Sequence, residues 1–140
     1  VCSFCAIAAK EKPAVIVLEE EEMIAFLDYR PLFWGHSLLI PRRHYETMSD
    51  LPARLIGPLF QGACRLSLAM EEGLEAAGSF VAVNNKISQS VPHVHVHVVP
   101  RRPKDGLRGF FWPRTRYDSD EQAHDVAARL RAALEAGPNT

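Results

Sequence analysis

His93, His95 and His97 alternate with Val94, Val96 and Val98 in the run Pro92-His93-Val94-His95-Val96-His97-Val98-Val99. On an extended strand successive side chains point to opposite faces, so the three imidazoles share one face at intervals of roughly 6.8 Å while the valines enter a core. A catalytic zinc would need its donors at ~2.0–2.1 Å from one ion, and side chains two residues apart diverge too far for all three to reach it. Nucleophilic catalysis asks less: one neutral imidazole attacks an electrophile while its neighbours orient it and stabilise the charge that develops. With an ordinary histidine pKa of about 6.5 and repulsion between close imidazolium rings, one member stays neutral while another carries a proton. That division of labour suits phosphoryl or nucleotidyl transfer. A second constellation lies at the other end, where Cys2 and Cys5 form a C-x-x-C pair. It reads as a redox pair or a metal clip, and the βαβ setting of a thioredoxin-like motif is absent.

The elements that must position these residues follow from periodicity. Ala14–Leu18 and Met23–Leu27 read as a hairpin around the acidic run Glu19 to Glu22, a solvated turn to which no function is assigned. Gly35-His36-Ser37-Leu38-Leu39-Ile40-Pro41 returns as a third strand that Pro41 ends. Leu55, Leu59, Ala63, Leu66, Met70 and Leu74 recur at steps of three and four, one apolar stripe of a helix. Gly57-Pro58 interrupts that stripe, so a short turn is expected first, then the main helix from Pro58 to Ala76, stopped by Gly78. Phe80–Val83 is the fourth strand, Asn84 to Ser90 a polar loop, and Val94–Val99 lie in the fifth strand, closed by Pro100. Ser119 and Gln122 make a capping box for a final helix with Ala123, Val126, Ala127, Leu130 and Leu134 on one face and Gly137-Pro138 as its stop. Five strands with one long and one terminal helix, and no regular βαβ alternation, give an α+β domain with a mainly antiparallel sheet.

The remaining features bound the function. A chain of 140 residues, 47% hydrophobic and 24% charged, is one globular domain. Its net charge of -1 gives no global pull toward nucleic acid or anionic membrane. The longest purely aliphatic stretch, Ala14 to Leu18, is far short of the roughly 20 residues of a membrane span. Three cysteines make an odd number with Cys64 in an apolar helical pattern, which fits a reducing compartment. No signal-peptide pattern opens the sequence, and the expected location is the cytoplasm. After the fifth strand, Arg101, Arg102, Lys104, Arg108, Arg114 and Arg116 face one acid, Asp105, with Phe110, Phe111 and Trp112 interleaved. This arm either reaches a bound polyphosphate, leaving group or base, or is a solvated segment whose aromatics pack on the core or a partner. His124 reads as a surface residue of the final helix.

The sequence resembles the histidine triad (HIT) family, whose H-φ-H-φ-H-φ-φ motif is matched by His93 to Val99. Gln89-Ser90 precedes the triad at the family spacing, Gly35-His36 through Pro41-Arg42-Arg43-His44 is similar to its G-H-x-φ-φ-φ-P-x-x-H segment, and Phe26-Leu27-Asp28 is similar to its ribose-contacting strand end. The resemblance implies a HIT-like five-stranded antiparallel sheet over a single domain of residues 1–140: a zinc-anchored segment at 1–12, the basic arm at 100–118 and the C-terminal helix at 119–136. It implies a hydrolase or nucleotidyltransferase acting at the α-phosphate of a purine nucleoside phosphoramidate or dinucleoside polyphosphate through a nucleotidyl-histidine. The alternatives are an AMP- or GMP-binding regulatory protein with little turnover and a phosphorylase. His95 would be the nucleophile, held by a hydrogen bond to a backbone carbonyl near His93. His97 would contact phosphate oxygens or the leaving group, Gln89 and Ser90 would bind phosphate, His36 would support the arrangement, and Asp28 would accept from ribose hydroxyls. Asn84 or Asn85 would also contact nucleotide. Bacterial members of this kind imply one structural zinc per chain, here on Cys2, Cys5, His44 and His93, no catalytic metal, a homodimer, and neither nucleic acid nor membrane as partner. Trp112-Pro113 is similar to a W-P of Hint-like members, at a different distance from the triad.

Overall fold

The computed structural model describes residues 2–107 and 114–137. Arg108, Phe110, Phe111 and Trp112-Pro113 of the arm, and Pro138 of the final stop, lie outside them. The chain divides into two compact units, Val1–Asp105 and Gly106–Thr140. The first holds α1 (Ser3–Ala8), β1 (Ile16–Glu19), β2 (Met23–Leu27), β3 (Ser37–Pro41), a 3-10 turn (Met48–Asp50), α2 (Ala53–Leu74), β4 (Gly78–Ala82) and β5 (Val96–Arg101). The second holds α3 (Asp120–Ala136). The strands form one sheet in the order β1-β2-β3-β5-β4, every neighbouring pair antiparallel. The α+β class and five-stranded sheet are as expected.

Alternation along the strands divides the core in two. Met23, Ala25, Leu39, Val94, Val96 and Val98 point to the face that α2 covers with Leu55, Leu59, Ala63, Leu66 and Met70. Each of the buried Leu, Val and Met side chains contributes about 1.5–3 kcal/mol. Ile24, Phe26, Leu38 and Ile40 point the other way, where Phe4 and Ile7 of α1 meet them. Among the described residues of this unit, the helix on this second face is the short α1, and a cavity lies between it and the sheet.

Several boundaries differ from expectation. α2 begins at Ala53 and runs through Pro58. Gly57 and Pro58 lie on its exposed side, so the bond Pro58 cannot donate, to the carbonyl of Arg54, falls toward water, and the apolar stripe outweighs the local break. The helix ends at Leu74 with Glu75 in the left-handed region, and Gly78 is instead the first residue of β4. The fourth strand is accordingly Gly78–Ala82, earlier than Phe80–Val83. The fifth runs Val96–Arg101 and passes through Pro100. β3 pairs with β5 only from Val96 to Val98, so Pro100 lies beyond the end of that ladder. At α3, Ser119 Oγ accepts from the Gln122 amide at 3.1 Å, but Gln122 Oε1 accepts from the Asp118 amide rather than closing the expected box on Ser119. The acidic run is exposed and salt-bridged: Glu19 to Lys10 and Arg42, Glu20 to Arg65, Glu22 to Arg54. Such pairs are worth under about 1 kcal/mol each.

Gly35 turns the chain into β3 at φ +105°, a conformation L side chains rarely adopt, and a Cβ there would run into the Leu74 side chain. Gly35→Ala is expected to destabilise the fold by about 1–3 kcal/mol and to displace His36 beside it. Thermal melts check this, and an unchanged Tm would contradict it.

Candidate active site and metal centre

Backbone groups set the tautomers of His36, His93 and His95, and His36 in turn sets that of His97. His95 is 3% exposed, and its Nδ1 lies 2.8 Å from the His93 carbonyl. A carbonyl only accepts, so Nδ1 carries the proton and Nε2 keeps its lone pair. The Leu32 amide donates to His36 Nδ1 at 3.1 Å, so the His36 proton sits on Nε2, 3.0 Å from His97 Nδ1. That nitrogen accepts, and the neutral His97 ring presents its own N–H at Nε2. Asp28 Oδ2 stands 3.7 Å from His36 Nε2, while its Oδ1 accepts from the Arg30 amide at 2.9 Å.

Burial is the main reason that His36, His93 and His95 titrate below the ordinary histidine range. For His36 the Asp28 carboxylate opposes that effect; for His95 the bond to the His93 carbonyl opposes it first and Asp28 second. His97 is pushed down to about 4 by burial, then by His95 and His36. Rings that stay neutral when folded but protonate when unfolded draw the protein toward the unfolded state in acid. Stability is therefore expected to be retained above the unfolded value of about 6.5 and lost as pH falls toward the folded values, about 4 for His97. Melts between pH 7 and 5 should show Tm falling, less steeply in His97→Gln; equal slopes would contradict the assignment.

His95, His97 and Asp28 open on a cavity of about 820 Å³ between α1 and the sheet, within the usual size of small-molecule sites. Its apolar wall includes Phe4, Ile7, Phe26 and Leu38, and Ser90 and Lys12 lie at its border. Sequence reasoning missed Phe4 and Ile7, although Phe4, Ile7 and Ala8 follow helical spacing. The polar loop is tied to itself and to the Glu46–Met48 segment: Gln89 Nε2 donates to the Glu46 carbonyl at 2.6 Å, and Gln89 Oε1 accepts from the Lys86 amide at 2.8 Å. Asn84 donates to the Ser88 carbonyl, and Asn85 Oδ1 accepts from the Met48 amide. Of these four loop residues only Ser90 borders the cavity.

The second cluster sits on the other side of His93. Cys2 Sγ lies 3.4 Å from His93 Nδ1, and Cys5 Sγ lies 3.4 Å from His44 Nδ1 and 3.5 Å from His93 Nδ1. His93 Nε2 donates to the Pro41 carbonyl at 2.8 Å, which leaves the Nδ1 lone pair facing the sulfurs. In a tetrahedral zinc site, S and N donors at ~2.3 and ~2.0–2.1 Å from the ion stand about 3.6 Å apart, so these residues fit the metal. Without a cation, burial and the neighbouring Cys2 push the Cys5 thiol up. Asp28, His36 and His97 form another compact group, but His36 Nε2 already holds the proton it gives to His97. In the arm, Arg101 pairs with Asp105 at 2.6 Å, and Arg102 donates to the Leu74 carbonyl.

Comparison with known proteins shows the family of the chain. Residues 9–104 match the HIT domain family model. An uncharacterized HIT-like protein of Mycobacterium tuberculosis is 35% identical over 95% of this chain and 92% of its own length. Adenosine 5′-monophosphoramidase of Saccharomyces cerevisiae is 34% identical over 86% of this chain and 75% of its own. A Zn-bound histidine triad family protein from Mycobacterium smegmatis superposes with a TM-score of 0.73 at 35% identity, covering 98% of this chain and 97% of that one.

Proposed function

The chain belongs to the HIT domain family, and from that premise we propose that it is a nucleotide hydrolase or nucleotidyltransferase acting at the α-phosphate of a purine nucleoside phosphoramidate or dinucleoside polyphosphate. The observation that carries the reading is His95. Its Nδ1 proton is fixed on the His93 carbonyl, so Nε2 is an unprotonated nucleophile at a cavity of nucleotide size. The Nε2 lone pair forms a bond to the α-phosphorus as the bond to the leaving group breaks. The leaving group departs with the electron pair of its bond to phosphorus and takes a proton from solvent, while the neutral His97 ring keeps its own N–H. Water then attacks phosphorus and gives a proton to solvent, the P–N bond returns its electrons to His95, and the nucleotide is released.

His97 donates from Nε2 to phosphate oxygens in this scheme, and His36 holds it in the required tautomer. Asp28 accepts from ribose hydroxyls at the strand end, and Ser90 donates to phosphate. Zinc on Cys2, Cys5, His44 and His93 would be structural, since four protein donors leave no open position. A catalytic metal is not required, because the His36 nitrogen beside Asp28 and His97 is protonated. The reading takes the protein as a cytoplasmic homodimer without a nucleic-acid or membrane partner; no described helix is long and apolar enough to cross a membrane.

Gln89 serves the reading once the loop releases its side chain to phosphate, and its present bonds to Glu46 and Lys86 favour the rival of a nucleotide-binding protein with little turnover. Incubation with adenosine 5′-phosphoramidate distinguishes the two. AMP release supports the enzyme, ADP formation in inorganic phosphate identifies a phosphorylase, and AMP binding without release from any member of a substrate panel establishes the rival.

A further inference from the structure

Six residues are too few to hold a helix in water, so α1 takes its shape from what it packs against. Cys5 within it and Cys2 at its N-cap lie against His93 and His44. Phe4 falls between those cysteines in sequence and Ile7 one turn later, and both are buried on the sheet face that forms the cavity. The Phe4 ring meets His95 edge to face at 5.1 Å between centroids, Phe26 at 5.3 Å and His93 at 6.0 Å. The polar ties of this segment to the sheet are weak: Arg42 Nη1 reaches the Ala8 carbonyl at 3.4 Å, and Lys10 pairs with Glu19 at the surface. His93 belongs to both sites, with Nδ1 toward the sulfurs and its carbonyl accepting from His95.

We propose that the metal held by Cys2, Cys5, His44 and His93 keeps α1 in place as a wall of the nucleotide cavity, so that metal occupancy sets nucleotide affinity, with Phe4 as the positioning residue that transmits it. The inference rests on the reading of the cavity as a nucleotide site and of the four donors as a zinc site. It differs from a purely structural metal in one respect. A metal that serves the fold alone changes Tm and leaves the affinity of the folded protein where it was. A metal that holds a wall changes the affinity of a protein whose sheet is intact.

The test is calorimetric titration of the full chain with AMP in three states: zinc-loaded, stripped by chelator with the sheet verified by circular dichroism, and reloaded. The expected result is a loss of at least about tenfold in affinity on stripping, the scale of effects seen when a metal's supporting contacts are removed, and recovery on reloading. Phe4→Ala, with its zinc content measured, is expected to keep its metal, to bind AMP about as weakly as the stripped protein and to lose most of its response to stripping. Phe4→Tyr, which keeps the ring, should recover most of the affinity. Equal AMP affinity in the loaded and the folded stripped protein overturns the inference and leaves the nucleotide reading intact, as does a metal-loaded Phe4→Ala that binds like the parent. A stripped chain that unfolds outright also overturns it, since the metal would then hold the whole fold rather than one wall. Failure of the zinc-loaded parent to bind AMP removes the nucleotide reading itself, and the inference with it.

Discussion

His95→Ala is expected to lower kcat on adenosine 5′-phosphoramidate by at least about a thousandfold, the scale on which loss of a nucleophile is felt. The variant deletes the one nitrogen among the described residues that combines a lone pair, a fixed orientation and a place at the cavity. Neither neighbour substitutes for it. His93 Nδ1 faces the cysteine sulfurs on the other side of the residue, and His97 Nδ1 is occupied by His36. AMP binding, which the proposed reading assigns to the apolar wall and Asp28, should survive within a few-fold. Initial-rate kinetics and equilibrium titration separate the two effects, and undiminished turnover would remove His95 as nucleophile.

The double variant Cys2→Ser, Cys5→Ser should emerge without zinc, whereas the parent purified without chelator should carry about one zinc per chain. Its Tm is expected to fall by at least about 10 °C, which at this chain length corresponds to roughly 3 kcal/mol. Metal binding to donors that are scattered in the unfolded chain is folding free energy. These donors are scattered, since Cys2 and Cys5 lie at the start of the chain around α1, His44 after β3 and His93 before β5. Losing the ion leaves a six-residue helix attached mainly through Phe4 and Ile7. Metal analysis with melts of both proteins checks this; a metal-free parent as stable as the variant would contradict it.

Much of the frame was legible because it rests on period. The alternation of valine and histidine placed the valines under α2 and the imidazoles on the other face, even though the hydrogen-bonded ladder begins only at Val96, with His93 and His95 ahead of it. The stripe from Leu55 to Met70 gave α2 its buried face but not its first residue. The local rule for Pro58 points to a break, and only packing against Leu39 and the valines shows that the helix continues. α1 was hidden for the opposite reason: its six residues contain no repeat long enough to register, and Phe4, Ile7 and the two cysteine sulfurs find their partners on distant strands and on His44 and His93. The loop before the triad shows the same limit, since nothing in Gln89 as a residue type reveals that its amide is tied to Glu46 and Lys86. Residue types and spacing showed which groups could react. Which nitrogen holds which proton came only from the backbone partners of His36, His93 and His95 and from the contact of His36 with His97.

The central claim is that the His95 imidazole becomes bonded to phosphorus during turnover. Rapid-quench of the enzyme with adenosine 5′-phosphoramidate at saturating concentration, followed by digestion and mass spectrometry under conditions that preserve phosphoramidates, addresses it directly. An adenylyl group on the peptide containing His95, appearing within the first turnover and decaying as AMP forms, is the predicted result. Confirmed turnover in which that peptide stays unmodified at every time point, with water oxygen reaching phosphorus in a single displacement and inverted stereochemistry, would contradict it.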